Sequence, residues 1–266
     1  MRKTAFFLYG IVAYVFFFVV FLYAIGFVGN LVVPKSLDTG AAGALGAALA
    51  IDAVLLTLFA VQHSGMARPA FKRWWTRIIP EPIERSTYVL VASAVLALIF
   101  ALWRPLPGIV WHVVNPVGVV VLWALFALGW TIVLLATFMI GHANLFGLEQ
   151  VWFNLVGRMR GPDRFRTPAL YRIVRHPIML GFFIAFWATP VMTVGHLLFA
   201  VATTGYILLA VLQLEERDLI AHFGDAYREY RSRVPAFIPF TGRRARVGVT
   251  APVSAPRARA KEDSVV

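Results

Sequence analysis

Long apolar runs alternate with short polar breaks along this chain. Runs of roughly 20 residues, the length that crosses a hydrocarbon core as a helix, lie at about 5–28, 41–62, 87–103 and 117–140. Two more, about 177–192 and 196–214, are separated by Thr193, Val194 and Gly195, which predicts a tight turn and a C-terminal helical hairpin. The pattern therefore predicts an all-α integral membrane protein with five to six transmembrane helices, six being the preferred number. The first run follows Arg2 and Lys3 and stays apolar through Val28 with no small-residue cleavage pattern. It reads as a retained anchor and not as a signal peptide.

After the last run the period changes. In DLIAHFGDAYREYRSRV, Asp218 to Val234, the side chains of Leu219, Ile220 and Phe223 share one side, Gly224 interrupts, and Tyr227, Tyr230 and Val234 recur at helical spacing before Pro235. This predicts a cytoplasmic amphipathic helix lying on the membrane or over a site. Residues 241–266, rich in Ala, Pro, Val and Arg without period, predict a disordered basic tail. One transmembrane domain is thus expected over 1–240. No internal repeat is visible, so the sequence gives no support to an inverted-repeat transporter.

Composition agrees: 60% of the residues are hydrophobic and 14% charged. The chain has no cysteine, which removes disulfides, thiolate nucleophiles and cysteine metal sites. The net charge of +12 is distributed by topology. With six crossings, every Lys and Arg except Lys35 and Arg104 falls on the side of the two termini, which the positive-inside rule makes cytoplasmic. The expected partner of this charge is anionic lipid, not nucleic acid. Trp103 and Trp111, in the 104–116 connection or beside it, read as interfacial anchors.

Four polar clusters interrupt the apolar pattern on that cytoplasmic side. Gln62-His63-Ser64 ends the second run. PEPIERSTY, Pro80 to Tyr88, carries Glu84, Arg85 and Ser86 into the third, with Ser86 a candidate helix cap. Gly141 to Gly147 (GHANLFG) follows the fourth, where two glycines leave backbone amides free to meet a ligand. In YRIVRHP, Tyr171 to Pro177, the proline suits a first helical position and sets Arg175 and His176 at a helix start. The hairpin brings these back to Gln213-Leu214-Glu215-Glu216. Arginine clamps a carboxylate and glutamate holds an ammonium or a ribose diol, so the pairing fits a zwitterionic, ribose-containing ligand. A plain Arg–Glu salt bridge closing the hairpin remains the alternative.

RHP-x-x-x-G, the Glu pair and FG-x-x-Y-x-x-Y-x-x-x-VP-x-x-P recur here in the order that resembles the C-terminal half of membrane methyltransferases of the isoprenylcysteine carboxyl methyltransferase type. QHSGMARPAFKRWWTRIIPEPIERSTYVL, GHANLFGLEQVW and GFFIAFWATPVMTVGHLLFA extend the resemblance, over about 5–240, to the bacterial inner-membrane thiol methyltransferases that turn methanethiol into dimethyl sulfide. The resemblance implies S-adenosyl-L-methionine as cofactor, a small thiol as substrate and a cofactor-binding half at 141–239. By position it implies cofactor contacts from His142, Asn144, Leu145, Phe146, Gly147, Tyr171, Arg175, His176, Pro177, Gly181, Glu215 and Glu216, with His222 and Tyr227 next. Asn144 stands where the family carries an aspartate, so no charged role comes with it.

Such a reaction needs a thiolate, and an alkyl thiol is harder to ionise than cysteine at about 8.5. His63 is the first candidate for the base, followed by Arg85 and Glu84 as charged helpers. Asp52, at i−11 from His63 on one face of the same run, either supports that base or bonds a neighbouring helix. Methylation of hydrogen sulfide or of a prenylcysteine carboxylate stays open, as does an NADPH-dependent membrane reductase related to the sterol reductases. A non-catalytic transporter is disfavoured because the polar residues gather at one end. No metal is expected.

Overall fold

The computed structural model describes residues 1–159, 161 and 165–241. Helix α1 spans Arg2–Gly29, α2 Leu45–Ala67, the short α3 Pro69–Trp75, α4 Glu81–Leu102 and, after strand β1 at Ile109–His112, α5 Pro116–Ile140. Helices α6 (His142–Leu145) and α7 (Leu148–Val156) follow, then α8 (Pro177–Trp187), strand β2 (Val191–Thr193) and α9 (Val194–Ala210). A π-helical turn at Val211–Glu215 joins α9 without a break to α10 (Glu216–Phe223), and α11 covers Asp225–Arg233. Local chemistry sets several boundaries. Asn115 Oδ1 accepts from the amides of Val117 and Gly118, and Pro116 occupies the first position of α5, where no N–H is needed. Thr193 caps α9 through His196 N at 3.0 Å.

Five helices are long and apolar enough to cross a membrane: α1, α2, α4, α5 and the continuous Val194–Phe223 unit. The protein is a multi-pass, all-α membrane protein. The sixth expected run differs in form. Its helix α8 has 11 residues, about 16 Å at 1.5 Å per residue, too short for a core of about 30 Å. Pro190 forbids continuation of the helix, so the chain goes on in extended form and β2 pairs antiparallel with β1. Helix and strand together carry it from the end that holds His176 to the end that holds the α4–α5 connection.

The two ends of the bundle differ. At the far end the Thr193 hydroxyl donates to Asp38 Oδ1, Asn30 donates to Asp38 Oδ2 at 2.6 Å, and Gly195 N donates to Leu106 O at 3.0 Å. These bonds tie three connections into one cap. Trp103, expected at an interface, is fully buried there against Phe27 and Phe199. The apolar core is largely aromatic, with Phe27, Phe100, Phe126, Trp130, Phe186 and Phe199 in contact. Helices α5 and α8 approach most closely at Gly129 and Gly181, where a Cβ on Gly181 would meet Gly129 O at 2.6 Å. The remaining polar side chains collect at the end where the chain begins. Beyond Thr241 the expected tail lies outside the described residues, as do Arg160 and Arg164 of the 158–175 connection.

Candidate active site

Pro177 opens α8 and sets Arg175 and His176 against the start of α10. Arg175 Nε and Nη2 donate to Glu216 Oε1 at 2.8 and 2.5 Å, while Nη1 donates to the carbonyls of Arg231 and Val234. Every guanidinium nitrogen is therefore used inside the protein. Of the two roles open to Arg175, the geometry gives the ion pair that closes the hairpin. His176 Nε2 lies 3.3 Å from Glu216 Oε1, and its Nδ1 lies 3.7 Å from Glu215 Oε1. Burial alone would lower the His176 pKa, but the two glutamates outweigh it and raise the pKa above its ordinary value. The amides of Arg175 and His176 donate to Pro235 O and Ala236 O, which draws the segment after α11 over the pair.

Helix α11 roofs this cluster. Tyr230 donates to Tyr171 O at 2.5 Å, and Tyr171 donates to Ala136 O at 3.3 Å. Burial pushes the Tyr230 pKa up to about 12. Tyr227 is 2% exposed and its hydroxyl has no hydrogen-bond partner. Glu216 Oε2 is also buried and unbonded, although Arg231 Nε stands 3.1 Å away without alignment. The Glu215 side chain is 44% exposed, so its carboxylate meets solvent as well as His176. Gly224, with φ 59°, supplies the break that turns α10 into α11. His222 is exposed, with its ring edge-on to Phe223 at 4.5 Å.

The second cluster stands at the end of α2. The Tyr88 hydroxyl lies 3.0 Å from His63 Nδ1 and 3.1 Å from Nε2, and the His63 ring stacks on Phe59 at 5.0 Å. Arg85 donates to Leu145 O at 2.9 Å and sets its guanidinium 5.4 Å from the Tyr88 ring centre. Glu84 sits half-buried in the first turn of α4, within the field of Lys72. Two contacts join this cluster to the C-terminal helix: Ser64 to Tyr206 at 2.9 Å, and Arg68 to Asp218 at 2.9 Å. The charge of Glu215 reaches His63 and Tyr88 as well as His176.

Segment 141–147 packs against α1, α4 and α5. His142 has both ring nitrogens engaged, Nε2 with Tyr14 and Nδ1 with Thr137, each at 2.9 Å, and its ring stacks on Phe138 at 4.3 Å. Burial holds its pKa below the usual histidine value. Phe146 stacks on Phe17 at 4.0 Å, and Asn144 accepts from Gln150 at 2.9 Å. Gly147 has φ 88°, and a Cβ there would stand 2.8 Å from Ser86 N. Ser86, expected as a cap, is instead fully buried inside α4 with its hydroxyl turned toward Gly147 O at 3.4 Å.

Two expected site residues lie elsewhere. Gly181 is occupied by the α5–α8 contact, where helix packing needs the missing side chain. Asp52 is about 16 Å along α2 from His63 by helical rise, and its Oδ1 accepts from Arg104 N at 2.9 Å. It bonds the end of α4 at the far cap, the second of the roles its position allowed. Among the described residues no group of His, Asp and Glu is placed to hold a metal ion.

Known proteins match this arrangement along most of its length. The family model described as NnrU protein matches residues 53–254. Methanethiol S-methyltransferase of Mycobacterium tuberculosis is 55% identical over 243 residues, covering 91% of this chain and 99% of that protein. The chain belongs to the methanethiol S-methyltransferase family. Methanethiol S-methyltransferase 1 of Bradyrhizobium diazoefficiens is 57% identical over 234 residues, 88% of this chain and 82% of that protein. Nurim of Rattus norvegicus is 30% identical over 182 residues, 65% of this chain and 68% of that protein. No solved structure matches significantly.

As a member of this family the chain is a methyltransferase, and its C-terminal cluster suits a methyl donor with amino and hydroxyl groups. The buried Tyr227 hydroxyl and Glu216 Oε2 lack hydrogen bonds, and Glu215 is open. Carboxylate and phenol oxygens satisfy an ammonium and a ribose. Two carboxylates disfavour a pyrophosphate in the same place. Sequence reasoning placed Ser64 and Tyr88 in polar clusters without a role and missed Tyr206; their hydroxyls link α2 to α4 and α9. Tyr88 was already visible as the last residue of the polar stretch that carries Arg85 one turn earlier. The π-helical turn that presents Glu215 has no sequence signal, although such turns concentrate at functional sites.

Proposed function

We propose that this protein methylates methanethiol to dimethyl sulfide, with S-adenosyl-L-methionine as donor, at the cytoplasmic face of a bacterial inner membrane. The observation that carries this reading is identity above one half, over nearly whole chains, to proteins named for that reaction. The excess of Lys and Arg on the side of both termini supports the orientation.

When bound, the sulfonium of S-adenosyl-L-methionine supplies an activated methyl group. Glu215, Glu216 and Tyr227 bind its polar groups, and His176 holds Glu215 and Glu216 in place. Arg175 acts one step back by fixing Glu216, Pro177 starts the helix that presents the pair, and Tyr171 anchors the α11 roof through Tyr230. His142, Asn144, Leu145, Phe146 and Gly147 would line the donor side of the site, their shape fixed by the contacts described. His63 accepts the thiol proton, while Arg85 favours the thiolate and Glu84 balances the local charge. Asp52 and Gly181 take no part, and exposed His222 has no assigned role. Apolar side chains around His63 exclude water from a step in which charge is neutralised, which favours the transfer.

Thermal unfolding of the detergent-purified protein with S-adenosylhomocysteine and, separately, NADPH tests the donor class. A rise in Tm with the former alone supports the reading. A rise with NADPH alone would move the protein to the reductases. Hydrogen sulfide and a prenylcysteine, supplied in place of methanethiol, test the acceptor.

A further inference from the structure

Arg68 closes helix α2 and bonds in two directions. It precedes Pro69, which holds it in extended backbone with φ −69° and ψ 140° and ends the helix there. Its Nε donates back to Ser64 O at 3.1 Å, satisfying one of the last carbonyls of α2. Its Nη1 meets Asp218 Oδ2 on α10 at 2.9 Å. Ser64, beside His63, makes a second tie, its hydroxyl 2.9 Å from that of Tyr206. Tyr206 lies before the π-helical turn at Val211–Glu215 and Asp218 lies after it. The end of α2 thus grips the C-terminal helix on both sides of that turn.

The turn interrupts the regular hydrogen-bond ladder, so continuity with α9 does not by itself aim α10. Glu216 and Asp218 are two residues apart, about 200° around the helix. One face of α10 is therefore bonded to Arg175 at the start of α8, and the opposite face to Arg68 at the end of α2. We propose that Arg68 is a positioning residue for methyl transfer: through Asp218 it sets the spacing between α10, which begins at the Glu215–Glu216 pair, and His63 on its own helix. The inference rests on the thiol methylation reading above. Arg68 acts by alignment, where an error of about 1 Å lowers turnover strongly, and takes no part in bond making or breaking.

The full-length protein in lipid nanodiscs tests this with Arg68→Gln and Asp218→Asn. Each lowers kcat for dimethyl sulfide formation about fivefold to tenfold, at neutral and alkaline pH alike, while KM for methanethiol and S-adenosylhomocysteine affinity change by less than about twofold. Lys72 also lies in the field of Asp218, so Asp218→Asn loses no less than Arg68→Gln. The double variant is no worse than the deeper single one, because both substitutions remove the same tie. Tm falls by about 4 °C or less, since the two side chains are 28% and 40% exposed. A purely electrostatic role would separate the variants: Arg68→Gln would weaken a nearby thiolate, and Asp218→Asn would favour it. A second readout is independent of turnover. The chain has no cysteine, so spin labels at Val61→Cys on α2 and Ala221→Cys on α10, both exposed, report on that spacing alone. Pulsed electron paramagnetic resonance gives one narrow distance in the otherwise unaltered protein and a broadened one with Arg68→Gln.

Effects of opposite sign in the two variants, losses that multiply in the double variant, or a deficit that disappears at alkaline pH overturn the proposal. So does an unchanged distance distribution. If the wild type methylates no thiol, the functional reading fails and takes this role with it. An active wild type with an unimpaired Arg68→Gln rejects the role of Arg68 alone.

Discussion

Arg175→Ala should damage the molecule more than a surface arginine would, and in a particular way. The side chains of Arg175 and Glu216 are 9% and 1% exposed. Removing one partner of such a buried pair costs about 3–5 kcal/mol, mostly because the other charge stays behind unmatched. Glu216 keeps His176 at 3.3 Å and a misaligned Arg231 at 3.1 Å, which places the electrostatic loss near the lower end. Two hydrogen bonds to the Arg231 and Val234 carbonyls also disappear, at about 1 kcal/mol each. A total near 5 kcal/mol corresponds to a Tm about 10–20 °C lower for a chain of this size. Differential scanning calorimetry of the detergent-solubilised protein reads it, in a cycle with Glu216→Gln. The double variant should be about 2 kcal/mol more stable than the sum of the single losses predicts, since neutral glutamine leaves no unmatched buried charge. A fall of less than about 2 °C, or strictly additive losses, would refute the claim that this pair is the buried clasp of the hairpin.

Other expectations follow from the same geometry. Gly181→Ala forces α8 away from Gly129 O and should cost about 1–3 kcal/mol, read as lower Tm; unchanged Tm would contradict the close approach. Tyr14→Phe and Thr137→Val should each lower stability by about 1 kcal/mol with little effect on thiol selectivity, measured by thermal unfolding and by competition between thiols. Asp52→Asn should leave turnover intact, because its carboxylate bonds the far cap. For His176 the folded pKa is raised, so its link to Glu215 and Glu216 is fully present below about pH 6.5, the unfolded value, and fades as pH rises through the folded pKa. The stability gap between the wild type and His176→Gln should therefore narrow with rising pH. A gap that widens would reverse the assignment.

The membrane architecture was legible because a run of apolar residues is long or short whatever its tertiary surroundings. The α8 run misled in one respect: hydropathy counts Ala188 to Met192 as membrane chain, but Pro190 makes that portion extended and pairs it with β1. The ends of the C-terminal hairpin were equally readable, since a two-helix turn must bring YRIVRHP back to QLEE. What the sequence left open was how the partners divide. Arg175 either meets a ligand or meets Glu216, and only the third dimension shows its guanidinium spent on Glu216 and two carbonyls. Asp52 and His63 share a helix face by period, yet 11 residues of rise separate them. Gly147 and Gly181 are functional-looking glycines whose missing side chains are explained by Ser86 and Gly129. Tyr88 stood at the end of the PEPIERSTY stretch, but nothing in the sequence showed that its hydroxyl would meet His63.

The most direct test of the account is headspace gas chromatography with mass detection on purified wild type, given methanethiol and S-adenosyl-L-methionine with a trideuterated methyl group. The account predicts dimethyl sulfide carrying one trideuteromethyl group, its formation depressed at neutral pH by His63→Ala. Folded protein that yields no labelled dimethyl sulfide would contradict it.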